Sequence, residues 1–136
     1  QIRKSKRYLA SLLIQNDCFM DEVIVMKIKI DFGEPIIAES TVMDIVPTDL
    51  DDFYVTASVH DKTNLFFVLL TSAHFYEEKK DKEKAAHLYY LMAYYLFLPL
   101  TPPGSCLLAL HYINKALELN PLQEYQKWLG LIQKGN

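Results

Sequence analysis

The sequence predicts an α+β chain: a short N-terminal helix and a three-stranded antiparallel sheet, followed by a four-helix array. Three observations carry this. Within residues 3–16, Tyr8, Leu9, Leu12 and Leu13 recur at spacings of three and four, which places them on one helical face. Between Val23 and His60 the apolar residues recur mostly at every second position, the period of a half-buried strand. Beyond Asn64 the helical period returns, punctuated by capping residues, Pro and Gly.

The N-terminal helix follows the basic residues Arg3, Lys4, Lys6 and Arg7 and stops at Asn16-Asp17. Val23 to Ile30 (VIVMKIKI) alternates Lys27 and Lys29 with Met26, Ile28 and Ile30, so the first strand has one wet face and one dry face. Asp31 to Pro35 (DFGEP) is turn chemistry. The second strand, Ile36 to Val46, sets Ile37, Glu39, Thr41, Met43 and Ile45 on one face and Ile36, Ala38, Ser40, Val42 and Asp44 on the other. A helix begun at Pro35 is the rival reading, because proline suits a first helical position. An acidic loop, Pro47 to Asp52, leads to a third strand. There Phe53, Val55, Ala57 and Val59 alternate with Tyr54, Thr56, Ser58 and His60. Such a meander needs a helical layer over its apolar face. It divides the chain into residues 1–62 and 63–136, two regions that can share one domain.

The predicted helices are Leu65 to Lys79 behind Asn64, Glu83 to Leu98 restarted at Asp81, Ser105 to Leu119 behind the rigid loop LTPPG, and Leu122 to Lys134 stopped by Gly135. Leu88 to Leu98 (LYYLMAYYLFL) has eleven residues and no charge. A membrane span needs about 20, so this run is read as a helix buried on most sides.

Ala109, Ile113, Ala116 and Pro121 stand where the second helix of a tetratricopeptide repeat carries its small and apolar residues and its closing proline. Trp128-Leu129-Gly130 resembles the Leu-Gly step of a following first helix. Ala93 and Tyr89 would fill the small and aromatic positions of the helix before. The segment 64–136 thus resembles one tetratricopeptide repeat with a flanking helix on each side. It departs in its long loop, Pro99 to Gly104, and in the segment YEEKKDKEKAA, which looks like a turn within a repeat and implies the opposite parity.

The resemblance implies binding of a peptide or protein segment in the groove lined by first helices. That surface would hold His87, Tyr90 and Tyr94, with Glu124, Lys127, Trp128 and Leu131 from the last helix. The family's Lys/Asn/Arg carboxylate clamp is not present, so chaperone C-terminal tails are not expected ligands. Asp49, Asp51 and Asp52 of the acidic loop form a second candidate contact surface.

A net charge of -3 weighs against nucleic acid. Cys18 and Cys106 lie 88 residues apart (106 − 18) with no zinc spacing and are read as free thiols. The apolar stretch Tyr8 to Ile14 is too short for an export signal, which points to the cytoplasm. There is no P-loop, GxGxxG, HExxH or GxSxG. The pairs His74/Glu77 and Glu83/His87 lack further metal ligands at matching spacing. The expectation is a protein-binding module (adaptor, assembly chaperone or immunity-type protein) with no catalytic residue, metal or cofactor. The alternative is a small enzyme or metal/ligand-binding protein using His60, His74 or His87 between sheet and helices.

Overall fold

The computed structural model describes residues 28–31 and 33–135. The predicted N-terminal helix, most of the first strand and Cys18 lie outside them. The described elements are α1 (Glu39–Val42), α2 (Pro47–Thr56), α3 (Val59–Glu78), α4 (Lys82–Tyr95), α5 (Ser105–Leu119) and α6 (Gln123–Lys134). There is no strand among the described residues, so the three-stranded sheet and the α+β class are overturned in favour of an all-helical arrangement.

The third predicted strand is the end of α2 and the start of α3. Pro47 opens α2, and the Asp49 carboxylate accepts a hydrogen bond from the Val46 amide at 2.9 Å, a favourable helix start. Leu50 and Phe53 bury at a spacing of three, whereas Val55 and Val59 are 66% and 78% exposed. An alternating strand would have buried all three of Phe53, Val55 and Val59 together. Ala57 breaks the helix, and Ser58 caps α3 by accepting from the Asp61 amide at 3.1 Å, so α3 starts before the predicted Asn64.

The second predicted strand is α1 with its flanks. Val42 and Ile45 are buried three residues apart while Met43 is exposed. No ladder serves Ile37: its amide donates to Ser72 Oγ at 2.9 Å and its carbonyl accepts from Tyr76 Oη at 2.6 Å. Two polar side chains of α3 thereby do what a neighbouring strand would have done.

Four predicted helices survive, three with shifted ends and the third, Ser105–Leu119, with the expected bounds. Asp81 accepts from the Lys84 amide at 3.2 Å, as its restart role requires. Before it, Lys80 is left-handed with φ 65, and the Asp81→Tyr76 and Lys80→Glu77 backbone bonds close α3 in a Schellman motif. The α4 helix runs into a π-turn, Leu96–Leu100, that contains Pro99. The wider turn tolerates the missing proline N–H and ends where the Thr101 amide reaches Leu96 O at 3.2 Å.

Helix α4 is the axis of the molecule. Every residue from Leu88 to Phe97 is buried, the expected fate of a helix apolar on all sides. Each fully buried large apolar side chain contributes roughly 1.5–3 kcal/mol. The Tyr89 hydroxyl meets Glu77 and the Tyr95 hydroxyl meets the Lys62 carbonyl, so α3 runs antiparallel to α4. On the other flank, α5 sets Ala109, Ile113 and Ala116, all 0% exposed, against α4 at helical spacing. Over Tyr89 the two flanks meet: its ring stacks on Tyr112 of α5 at 5.8 Å, and Lys115 of α5 pairs with Glu77 of α3 at 3.2 Å. Then α6 packs on α5. Successive helices packed as antiparallel neighbours are compatible with a helical-repeat arrangement. No helix among the described residues is long and apolar enough to cross a membrane. Cys106 carries a free thiol and is half-buried.

Candidate functional site

The remaining face of α4 carries Glu83, His87, Tyr90 and Tyr94 at spacings of four, three and four, a single helical stripe. Two elements approach this stripe from opposite sides. From one side come Ile45 and α2; from the other comes α6.

The His87 Nε2 lies 2.7 Å from the Ile45 carbonyl. A carbonyl only accepts, so Nε2 carries the proton and donates it. Burial depresses the His87 pKa, opposed by that hydrogen bond and by the Glu83 carboxylate. One turn on, the Tyr90 ring packs on Tyr125 of α6 at 5.0 Å. Burial, and then the Glu124 carboxylate, push its pKa up to about 12. Tyr125 is likewise raised to about 12, by burial and then by Glu83. Tyr94 joins both sides: its hydroxyl donates to Asp51 of α2, 2.8 and 3.0 Å from the two oxygens, and its ring meets Trp128 of α6 edge-on at 5.2 Å. Trp128 in turn donates from Nε1 to Glu124 at 3.1 Å.

The structure therefore brings His87, Tyr90, Tyr94, Asp51, Glu124 and Trp128 into one aromatic seam with an acidic edge. Tyr90 and Tyr94 are only 6% and 9% exposed; they form the packed floor of the seam rather than the walls of an open hollow. Lys127 and Leu131 point outward, Leu131 being 40% exposed. Asp49, Asp51 and Asp52 lie on helix α2, not in a loop. Asp49 serves the start of its own helix. The carboxylates around the seam are Asp51, Glu83 and Glu124.

Two features escaped the sequence reading. Tyr125 was missed because the groove face of α6 was placed one residue off, about 100° around the helix. Its buried stripe is Tyr125 and Ile132, with Trp128 partly buried between them. The other is the Ile45 carbonyl, a backbone group that no side-chain pattern announces. Gly130 also departs from expectation: a Cβ there would meet nothing within 4 Å, so it makes no close helix approach.

The histidines of the alternative reading do not converge. His60, His74 and His111 are exposed, and His74 only touches the edge of Tyr89 at 6.3 Å. The sheet that was to form that site is absent from the described residues. No group of three or more His, Cys, Asp and Glu among the described residues could hold a metal. A half-open pocket of about 170 Å³ lies between Ile28, Ile36, Ile37, Ile45 and Val68.

No protein-family model matches the chain, and no curated protein or solved structure is significantly similar to it.

Proposed function

We propose that this chain is a protein-interaction module built on tetratricopeptide-like hairpins, and that the α2–α4–α6 seam receives a cationic, amphipathic segment of a partner protein. In this reading α4 and α5 are the two helices of one repeat, and α3 and α6 belong to its neighbours. The buried small residues Ala93, Ala109 and Ala116 support that pairing; the open surroundings of Gly130 and the intervening π-turn are departures from it.

The observation that carries the reading is Tyr94, held at once by Asp51 of α2 and Trp128 of α6. It fixes an aromatic strip with carboxylates on both edges: Asp51 on one, Glu83 and Glu124 on the other. Among the described residues Lys127 is an exposed cation of α6 beside Trp128. Rim carboxylates steer a cationic ligand and set its salt dependence, while Tyr and Trp supply contact area at low entropic cost. An adaptor, an assembly chaperone and an immunity-type protein would all use such a surface.

Trp128 is the one tryptophan in the chain, so its fluorescence reports on the seam. Titration with a Lys/Arg-rich amphipathic peptide should quench or shift it saturably, and an acidic peptide of equal length should not. Glu83→Lys with Glu124→Lys, which spare the packed floor, should weaken binding by about tenfold or more. Equal responses to both peptides, or no loss on charge reversal, would refute the reading.

A further inference from the structure

We propose that the outer face of α3 and α5 pairs with the same face of a second copy of the chain, making a reversible two-fold dimer that leaves both seams open. The pairing does not depend on what the seam binds.

Two uncharged stretches build the face. Thr63 to Tyr76 and Ser105 to Asn114 hold no Asp, Glu, Lys or Arg, although the whole chain is 23% charged. Their inward residues, Leu65, Leu69 and Ala73 on α3 and Ala109 and Ile113 on α5, are buried. Outward, α3 exposes Thr63, Phe67, Thr71 and His74 at spacings of four, four and three, one helical stripe. On α5 the exposed residues of the stretch are Leu107, Leu108, His111 and Asn114. Phe67, Leu107 and Leu108 are 55%, 74% and 40% exposed. The two helices are joined across this face. Phe67 meets Phe66 edge-on at 5.5 Å, and Phe66 meets Tyr112 at 6.0 Å, one turn beyond Leu108. An apolar strip therefore runs between rims of Thr, His and Asn. The Glu77–Lys115 pair at 3.2 Å closes one end of it without net charge.

Charge and area select a second copy as the occupant. A two-fold contact sets each surface against itself, so a charged face would oppose like charges. The eight exposed residues of this face include no Asp, Glu, Lys or Arg. For the same reason the face offers nothing to a cationic peptide or to a phosphate. Five of the eight are Thr, His or Asn, which are costly to bury in acyl chains. An aromatic side chain has about 150–250 Å² to bury, so Phe67 leaves roughly 100 Å² free. With its seven exposed neighbours and the half-buried Phe66 and Tyr112, the face is on the order of 600–800 Å². A specific interface takes about 800 Å² from each partner. A face at the lower edge of that size, partly polar, fits a reversible dimer with a Kd of order 10 μM. The face also looks away from the seam. Tyr89, on which Tyr112 stacks, stands two residues beyond His87, about 200° around α4. The dimer thus carries two open seams, which a partner with two segments can engage together.

Sedimentation velocity on the full chain tests this. The mass should rise from one chain to two between about 1 and 200 μM and go no higher. Two double variants separate the contact from the fold: Phe67→Glu with Leu107→Glu, and Phe67→Lys with Leu107→Lys. All four changes fall at exposed positions. Each variant alone should stay monomeric, a loss of affinity of about a hundredfold or more from like charges brought face to face. Mixed in equal amounts, the two should pair with each other, which misfolded chains cannot do. A mass that stays at one chain throughout overturns the proposal. So does a dimer that survives in either variant, or charged variants that fail to pair on mixing. Mass that grows past two chains assigns the face to a head-to-tail contact and also overturns it. Capture of the native chain, but of neither variant, by phosphatidylcholine vesicles would make a lipid surface the occupant instead. The cationic-peptide titration of Trp128 bears on the seam alone, and its failure leaves the dimer standing.

Discussion

Replacing Tyr89 by Phe isolates the polar clasp that ties α3 and α5 across α4. The Tyr89 hydroxyl donates to Glu77 Oε1 at 2.7 Å, and the ring is only 1% exposed. Hydrogen bonds to charged groups contribute about 1.5–3 kcal/mol. The Glu77 side chain is 32% exposed, so water can replace the lost donor, and the lower end applies: about 1.5 kcal/mol for Tyr89→Phe. The stacked ring contact with Tyr112 survives this change. Tyr89→Ala also removes the ring and should cost about 3–5 kcal/mol.

The effect has a pH signature. The Glu77 carboxyl is held below its usual range, first by the Tyr89 hydrogen bond, with burial opposing and Lys115 assisting. A depressed carboxyl pKa stabilises the fold above the unfolded-state value and loses that contribution as pH falls through the folded-state value. The gap between native and Tyr89→Phe should therefore be full at pH 7 and close as the pH falls through the depressed folded-state value of the Glu77 carboxyl. Urea unfolding followed by circular dichroism measures it, with unchanged slopes confirming like transitions. A gap under about 0.5 kcal/mol at pH 7, or one that acidification leaves unchanged, would refute the clasp.

Gly130→Ala and Ala109→Leu test the helix crossings in opposite senses. The first adds a methyl in open space within a helix and should stabilise by about 0.5–1 kcal/mol; a loss would reinstate a close glycine approach. The second overfills the α4–α5 interface and should destabilise by about 1–3 kcal/mol in thermal melts. Lys80→Gly relieves a left-handed residue and should raise stability by up to about 1 kcal/mol. Because burial lowers the His87 pKa, the fold holds this ring neutral. That contribution is present above the unfolded-state value near 6.5 and is lost as pH falls below it. His87→Gln should flatten the stability profile as pH falls below about 6.5, and an unchanged profile would assign the slope to other groups.

Where local chemistry was strong, the helices could be read from the chain. The start of α5 at Ser105 and its end before Asn120-Pro121 were legible because proline and glycine act on the backbone whatever surrounds them. Asp81 announced a cap, and the uncharged run Leu88 to Leu98, closed by Pro99, announced a buried stretch of α4. The failures lie where the pattern was ambiguous. Phe53, Val55, Ala57 and Val59 fit a period of two, yet Val55 and Val59 face solvent and, of the four, only Phe53 is fully buried. Residues 36–46 carry β-branched side chains, but Ser72 and Tyr76 satisfy Ile37's backbone groups, so no partner strand is needed.

The seam divides in the same way. Its acidic and aromatic residues were visible as types, because charge and ring chemistry belong to each residue alone. That Tyr94 would join Asp51 and Trp128, from positions 43 residues before it and 34 after it (128 − 94), was decided by tertiary packing. A helix apolar on every side gives no hint of which neighbour takes which face. Only the positions of α2 and α6 determine whether its tyrosines form an open wall or a packed floor.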